Sequence, residues 1–204
     1  MGGLHSARLS LHSVDFHEID QLQRQDAWEA AGAVLLDAAH RLERAGAELL
    51  LICCNTMHEA APRLEAACAL PLLHIVDVTA QAIKRSDRAI HKVGLLATRF
   101  TAERPFYAGR LRERHGLEVL TPAAADREHV HRIIYEELCR GRIETASRRR
   151  LQLVVAELAQ RGAQAVIFGC TEITLLLDTA QVALPVFDST RLHAEAAVAA
   201  ALDE

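Results

Sequence analysis

Two cysteines define the chemistry open to this chain. Cys54 lies in the stretch AGAELLLICCNTMH (45–58) and Cys170 in RGAQAVIFGCTEI (161–173). Each stands eight residues after a Gly-Ala pair, Gly46-Ala47 or Gly162-Ala163, and each is followed by polar residues, Asn55 and Thr56 or Thr171 and Glu172. A free thiol ionises near a pKa of about 8.5, and backbone N–H groups at a strand end or helix start lower that value, giving a base or nucleophile. Two thiols on opposite sides of one small molecule can remove a proton from one face of a carbon and return one to the other, inverting a stereocentre. The neutral donors beside them suit an anionic group such as a carboxylate.

The other residues capable of chemistry fall into blander roles. Free cysteine is among the most buried residue types, which suits Cys68 and Cys139 in helical patterns. It also suits Cys53, because neighbouring side chains on a strand point to opposite faces and only one of Cys53 and Cys54 can face a site. Adjacent cysteines do not ligate one metal together and no CxxC occurs, so zinc is not expected. The eleven histidines are scattered, and His129 and His131, two apart on a predicted helix, do not face the same way. Pyridoxal phosphate needs a lysine, and the chain has only Lys84, closing a predicted helix, and Lys92, opening a strand. Gly94 in VGLLAT lacks the G-x-G-x-x-G fingerprint of a dinucleotide site. No cofactor and no metal is expected.

The chain has 204 residues, half of them hydrophobic, with a net charge of −4. It can bury a core and is not basic enough to suggest nucleic acid or an acidic membrane surface. No apolar run reaches the roughly 18 residues of a membrane span, and MGGLHSARLS does not read as a signal peptide. Five cysteines without regular spacing suit a reducing compartment, so a soluble cytoplasmic protein is the simplest expectation.

The elements that must position the two thiols alternate. Strands are predicted over 8–14, 48–53, 72–76, 92–97, 117–120, 164–168 and 185–187. Helices are predicted over 26–44, 58–67, 78–85, 101–115, 126–140, 144–160 and 190–202, with Asp26 as an N-cap, Gly46 as a stop and Pro62 shortening a first turn. This β, α rhythm predicts an α/β fold with parallel sheets. The apolar runs before Cys54 and Cys170 read as strands buried on both faces, each leaving its cysteine at the strand end where α/β proteins bind ligands. Two similar halves related by an approximate two-fold would turn those ends toward each other. The polar run KRSDRAIH (84–91) is the best boundary, giving a first lobe of residues 1–86 plus 186–204 and a second of 87–185.

CNTMH (54–58) and GCTEI (169–173) resemble the paired signatures of the aspartate/glutamate racemase family. GGLHSARL, HSVDFHEI, PLLHIVD, GLLATRFT, IIYEELCRG and VFDSTRLHAEAAV extend the resemblance, to its broad-specificity and aspartate/glutamate branch, over nearly the whole chain. The resemblance implies two Rossmann-like lobes with the active site between them, usually in a homodimer, and racemisation of aspartate, glutamate or related amino acids without pyridoxal phosphate. It implies Cys54 and Cys170 as catalytic acid/base residues. Asn55, Thr56, Thr171 and Glu172 would hold the α-carboxylate and amino group, Thr98 and Thr101 would border the pocket, Gln23 would help read the side chain, and His193 would lie near Cys170. Some members of this branch carry threonine at the first catalytic position and favour one enantiomer; Cys54 implies turnover of both. The family's first strand, GGM-type loop and helix have no counterpart here, and a start codon upstream of Met1 is expected to supply them. Two alternatives remain open: a maleate isomerase or hydantoin racemase of the same superfamily, and a truncated, inactive homologue that only binds an amino acid or partner subunit.

Overall fold

The computed structural model describes residue 4 and residues 6–202; Met1, Gly2, Gly3 and His5, which carry part of the opening resemblance, lie outside the described residues, as do the last two. Four short apolar runs form strands: β1 (Lys92–Leu96), β2 (Glu118–Leu120), β3 (Ala165–Phe168) and β4 (Val186–Asp188). They make one parallel sheet in the order β2-β1-β3-β4. Leu96 pairs with Phe168 and Phe168 with Asp188, so the carboxyl ends line up and the residues that follow leave from one edge.

Period-two alternation divides the strands between two cores. Leu96, Val166 and Phe168 pack under α7 (Ala124–Arg132) and α8 (Thr145–Gln160) with Val130, Leu151, Val154 and Leu158. Val93, Leu95, Ala165 and Ile167 pack on the opposite face with α4 (Ile75–Ser86), α6 (Pro105–His115) and Phe187 of β4. The final helix α10 (Ser189–Leu202) lies on that same side against α4. A strand buried on both faces needs cover on both, and α4, β4 and α10 supply part of it. Residues 75–86 and 186–202 therefore pack on the four-stranded sheet.

The first layer has its own core of Ile19, Ala31, Ala39, Leu50, Ile52, Met57 and Leu64, gathered from α1 (Phe16–Arg24), α2 (Trp28–Arg44), α3 (Ala61–Ala67) and the chain between them. Here three expected strands are corrected. Segments 48–53 and 72–76 meet only at one parallel bridge, Leu50 with Leu72, held by Leu50 N–H to Pro71 O and Leu73 N–H to Leu50 O, both 3.0 Å. Segment 8–14 forms no strand, and Leu9 and Leu11 are 86% and 79% exposed. A strand exists only through its partners, and among the described residues these segments have almost none.

Helix starts differ too. Asp15 caps α1, accepting the His17 N–H at 3.0 Å, so HSVDFHEI leads into a helix that periodicity did not announce. Asp26 is not an N-cap: it has φ +56° and binds the Trp28 indole N–H and Arg104 instead. Pro105 splits the expected helix 101–115 into α5 (Arg99–Glu103) and α6. The expected helix 126–140 becomes α7, a π-helical turn over Ile133–Glu137 and a 3-10 turn over Leu138–Arg140.

Candidate active site

After Cys54 the chain turns at Asn55 into a 3-10 turn, Thr56–Ala60. The N–H groups of Thr56 and Met57 reach the Cys54 sulfur and favour its thiolate, but burial outweighs them and the thiol is pushed above its ordinary value. The turn is pinned from behind. His58 Nδ1–H donates to Cys54 O at 2.9 Å, and His58 Nε2 accepts the Ile75 N–H at the start of α4 at 3.2 Å. With both nitrogens committed to a neutral tautomer and the ring buried, His58 is pushed down to about 3.

His193, on α10, donates through Nε2 to Leu73 O at 2.8 Å, and its ring lies 5.9 Å from that of His58. It stands behind the Cys54 turn, beside the His58 ring that pins it.

Cys170 leaves the end of β3 through Gly169, whose N–H donates to Leu96 O at 2.8 Å. A Cβ on Gly169 would meet Leu95 Cδ1 at 2.8 Å and Ala97 Cβ at 3.2 Å, so any larger residue here would force its neighbours to shift. The Cys170 thiol donates to Glu172 Oε2 at 2.9 Å. Burial first, and the Glu172 carboxylate second, hold that thiol protonated, well above its ordinary value. The lowering expected from strand-end N–H groups is thus overcome at both cysteines by loss of water. The two thiols lie within electrostatic reach of each other, the charge of Cys54 acting on Cys170 and Glu172 acting on both. Cys53 and Cys139 are exposed and Cys68 is buried, so burial fits only the last of these three.

Between the thiols, polar side chains join the two layers. Thr56 Oγ1 lies 3.1 Å from Thr98 Oγ1 and 2.8 Å from Thr101 Oγ1, and Thr98 caps α5 by accepting the Thr101 N–H. Ser189 Oγ donates to Phe168 O at 2.7 Å and lies 3.1 Å from one end of the Asn55 amide. The other end of that amide, Nδ2, is buried with no partner. A buried polar group left open in this way is available to a ligand. Gln23 is buried as well: its Nε2 donates to Met57 Sδ at 3.1 Å and its Oε1 accepts the Tyr135 hydroxyl at 3.2 Å.

Cys54, Asn55, Thr56, Thr98 and Thr101 thus form one connected group, which Gln23 meets through Met57 and on which Glu172 acts from beside Cys170. The Thr171 side chain makes no hydrogen bond among the described residues. Sequence reasoning missed three contributors. His58 stood in view within CNTMH, Ser189 follows a strand end as Cys170 does, and Tyr135 gave no signal because its position depends on the π-helical turn.

This helix-rich α/β fold with its parallel sheet matches solved structures of amino-acid racemases, which are isomerases. The chain belongs to the Asp/Glu/hydantoin racemase family, whose model matches residues 1–197. It is 26% identical over 167 residues to the broad specificity amino-acid racemase RacX of Bacillus subtilis, covering 80% of this chain and 69% of that protein. A crystal structure of a Yersinia pestis protein, described as a candidate Asp/Glu racemase, is 54% identical with a TM-score of 0.91, covering all of this chain and 87% of that one. An aspartate racemase homologue from Pyrococcus horikoshii is 33% identical with a TM-score of 0.82, covering 98% and 86%.

Proposed function

We propose that this chain is a cofactor-independent racemase that inverts the α-carbon of aspartate, glutamate or a related amino acid, with Cys54 and Cys170 as its two bases. The observation that carries this reading is the pairing itself: a half-buried thiol at Cys54 and a buried one at Cys170, within electrostatic reach and at matching positions of a sequence repeat. Cys54, with two N–H groups directed at its sulfur, is the better placed to bear a negative charge. Cys170, donating to a carboxylate, is the better placed to deliver a proton, and Glu172 can relay one when the direction reverses. The open Asn55 amide and the Thr56, Thr98 and Thr101 hydroxyls suit the substrate's α-carboxylate without a buried counter-ion. Thr171 and Glu172 complete the reading on the amino-group side. The homodimer that the resemblance implies belongs to the same proposal.

The test is chiral chromatography of L- and D-amino acids incubated with the protein, without added pyridoxal phosphate, beside Cys54→Ser and Cys170→Ser. Racemisation in both directions, reduced at least about 100-fold by either substitution, is the expected outcome for loss of a general acid or base. Undiminished racemisation in either variant would remove that cysteine from the mechanism.

A further inference from the structure

Beside the thiols lies a group of side chains that the two-base reading does not use. The π-helical turn Ile133–Glu137 interrupts the helical run after α7, and a turn of this kind adds a residue and is common at functional sites. Ile133 and Ile134 go into the core, Tyr135 packs half-buried against it, and its hydroxyl crosses to the first layer to donate to Gln23 Oε1 at 3.2 Å. Gln23 in turn touches Met57, whose N–H reaches the Cys54 sulfur. The Tyr135 ring is flanked by His131, with centroids 4.5 Å apart, and by Phe16 and Phe100 at 6.1 and 6.4 Å. Its hydroxyl is pushed upward by burial first and then by the charges of Asp20, Cys54, Cys139 and Cys170, so it senses both thiols.

This wall offers an open acceptor, although Arg24 lies 5.9 Å from the Tyr135 ring centroid. Asp20 lies three residues before Gln23 on α1; its Oδ2 pairs with Arg24 at 2.8 Å, but Oδ1 is buried with no partner. Glu172 stands at the other thiol. The cations that reach the cluster are already paired, Arg24 with Asp20 and Arg99 with Glu128 at 3.2 Å. His131 is held neutral, shifted downward by burial first and by Arg99 next. A second carboxylate on the substrate would meet acceptors and negative charge here, whereas a side chain ending in N–H donors would satisfy Asp20 Oδ1 and the phenol oxygen.

We infer that Tyr135, Gln23 and Asp20 form the side-chain wall of the site and select amino acids whose side chains end in nitrogen donors, amide or cationic, over aspartate and glutamate. This rests on the racemase reading above and narrows its substrate class. Tyr135 and Asp20 are specificity residues, not proton carriers, so their substitution changes the order of substrates rather than the chemistry common to all of them.

The experiment measures α-hydrogen exchange in deuterium oxide for L-alanine, L-glutamine, L-lysine and L-glutamate with the parent chain, Tyr135→Phe and Asp20→Asn. In the parent, glutamine and lysine exceed glutamate in kcat/KM by at least about 10-fold, the discrimination expected when a buried polar group is left unpaired or opposed by like charge. Asp20→Asn narrows the gap between lysine and glutamate. Tyr135→Phe raises KM for glutamine and lysine by more than it raises KM for alanine. Faster exchange of glutamate than of glutamine and lysine, or an order of substrates that neither substitution alters, would overturn the inference while leaving the racemase reading intact. Exchange of none of the four amino acids would overturn both.

Discussion

The two thiols differ in what surrounds them, and the difference sets their roles. Cys54 is met by N–H donors from Thr56 and Met57, which stabilise negative charge, whereas Cys170 faces a carboxylate that opposes it. Glu172→Gln removes both the charge and the strong acceptor, so Cys170 should ionise at lower pH. Followed by ultraviolet thiolate absorbance and by the pH dependence of racemisation, the alkaline limb is expected to move toward neutral pH; an unmoved or upward-shifted limb would contradict the assignment. At this scale the sequence was informative where chemistry is local. Both cysteines, Asn55, Thr56 and Glu172 stand beside each other in motifs. Thr98, Thr101 and Gln23 came only with the family resemblance. Tyr135 and Ser189 act across the gap between layers, 112 and 134 residues from their partners Gln23 and Asn55, a distance no local pattern spans.

At the scale of the elements, the second sheet was legible because its strands are continuous apolar runs between amphipathic helices. The runs around Val93–Leu96 and Ala165–Phe168 are buried on both sides, as their composition requires. The first layer was not legible in the same way. Segments 8–14, 48–53 and 72–76 have strand-like composition, yet regular strands need lateral partners, and a single bridge at Leu50 is what forms. Repeat symmetry makes the contrast plain: β3 before Cys170 has β1 and β4 on its two sides, whereas Leu50 before Cys54 pairs with Leu72 alone among the described residues. Segment 8–14, without ladder bonds and with Leu9 and Leu11 exposed, should therefore open most readily. Amide hydrogen exchange read by mass spectrometry is expected to label it well before β1 and β3. Protection equal to that of the four-stranded sheet would show that it is paired in solution.

Over the whole molecule, the pH dependence of stability rests on two buried histidines and one half-buried carboxylate. His58 and His74, their rings 4.6 Å apart, are pushed down to about 3 and about 2, chiefly by burial. Their folded values lie below the unfolded one near 6.5, so between those limits the unfolded chain binds more protons. Their contribution is complete above about pH 6.5 and is lost as pH falls, by up to about 1.4 kcal/mol per pH unit for each ring. Asp77 acts further down. Arg110 at 2.8 Å and His115 at 2.8 Å hold its carboxyl below the usual range despite burial, so its contribution is present above about pH 4 and is lost in stronger acid. Urea unfolding from about pH 6.5 to 4.5 should show a falling midpoint, and His58→Asn, which keeps a donor for Cys54 O, should flatten that slope. Parallel slopes in parent and variant would mean that His58 is not held neutral in the folded state.

The two-base assignment is tested most directly by following each enantiomer of the best substrate separately in deuterium oxide, using NMR for the α-hydrogen and chiral separation for the product. The parent is expected to turn over both enantiomers and to give product that carries α-deuterium before the remaining substrate does. Cys54→Ser and Cys170→Ser are expected to abolish proton removal from opposite enantiomers. Loss of exchange from the same enantiomer in both variants, or retention from both enantiomers in either, would contradict two cysteines working on opposite faces of one carbon.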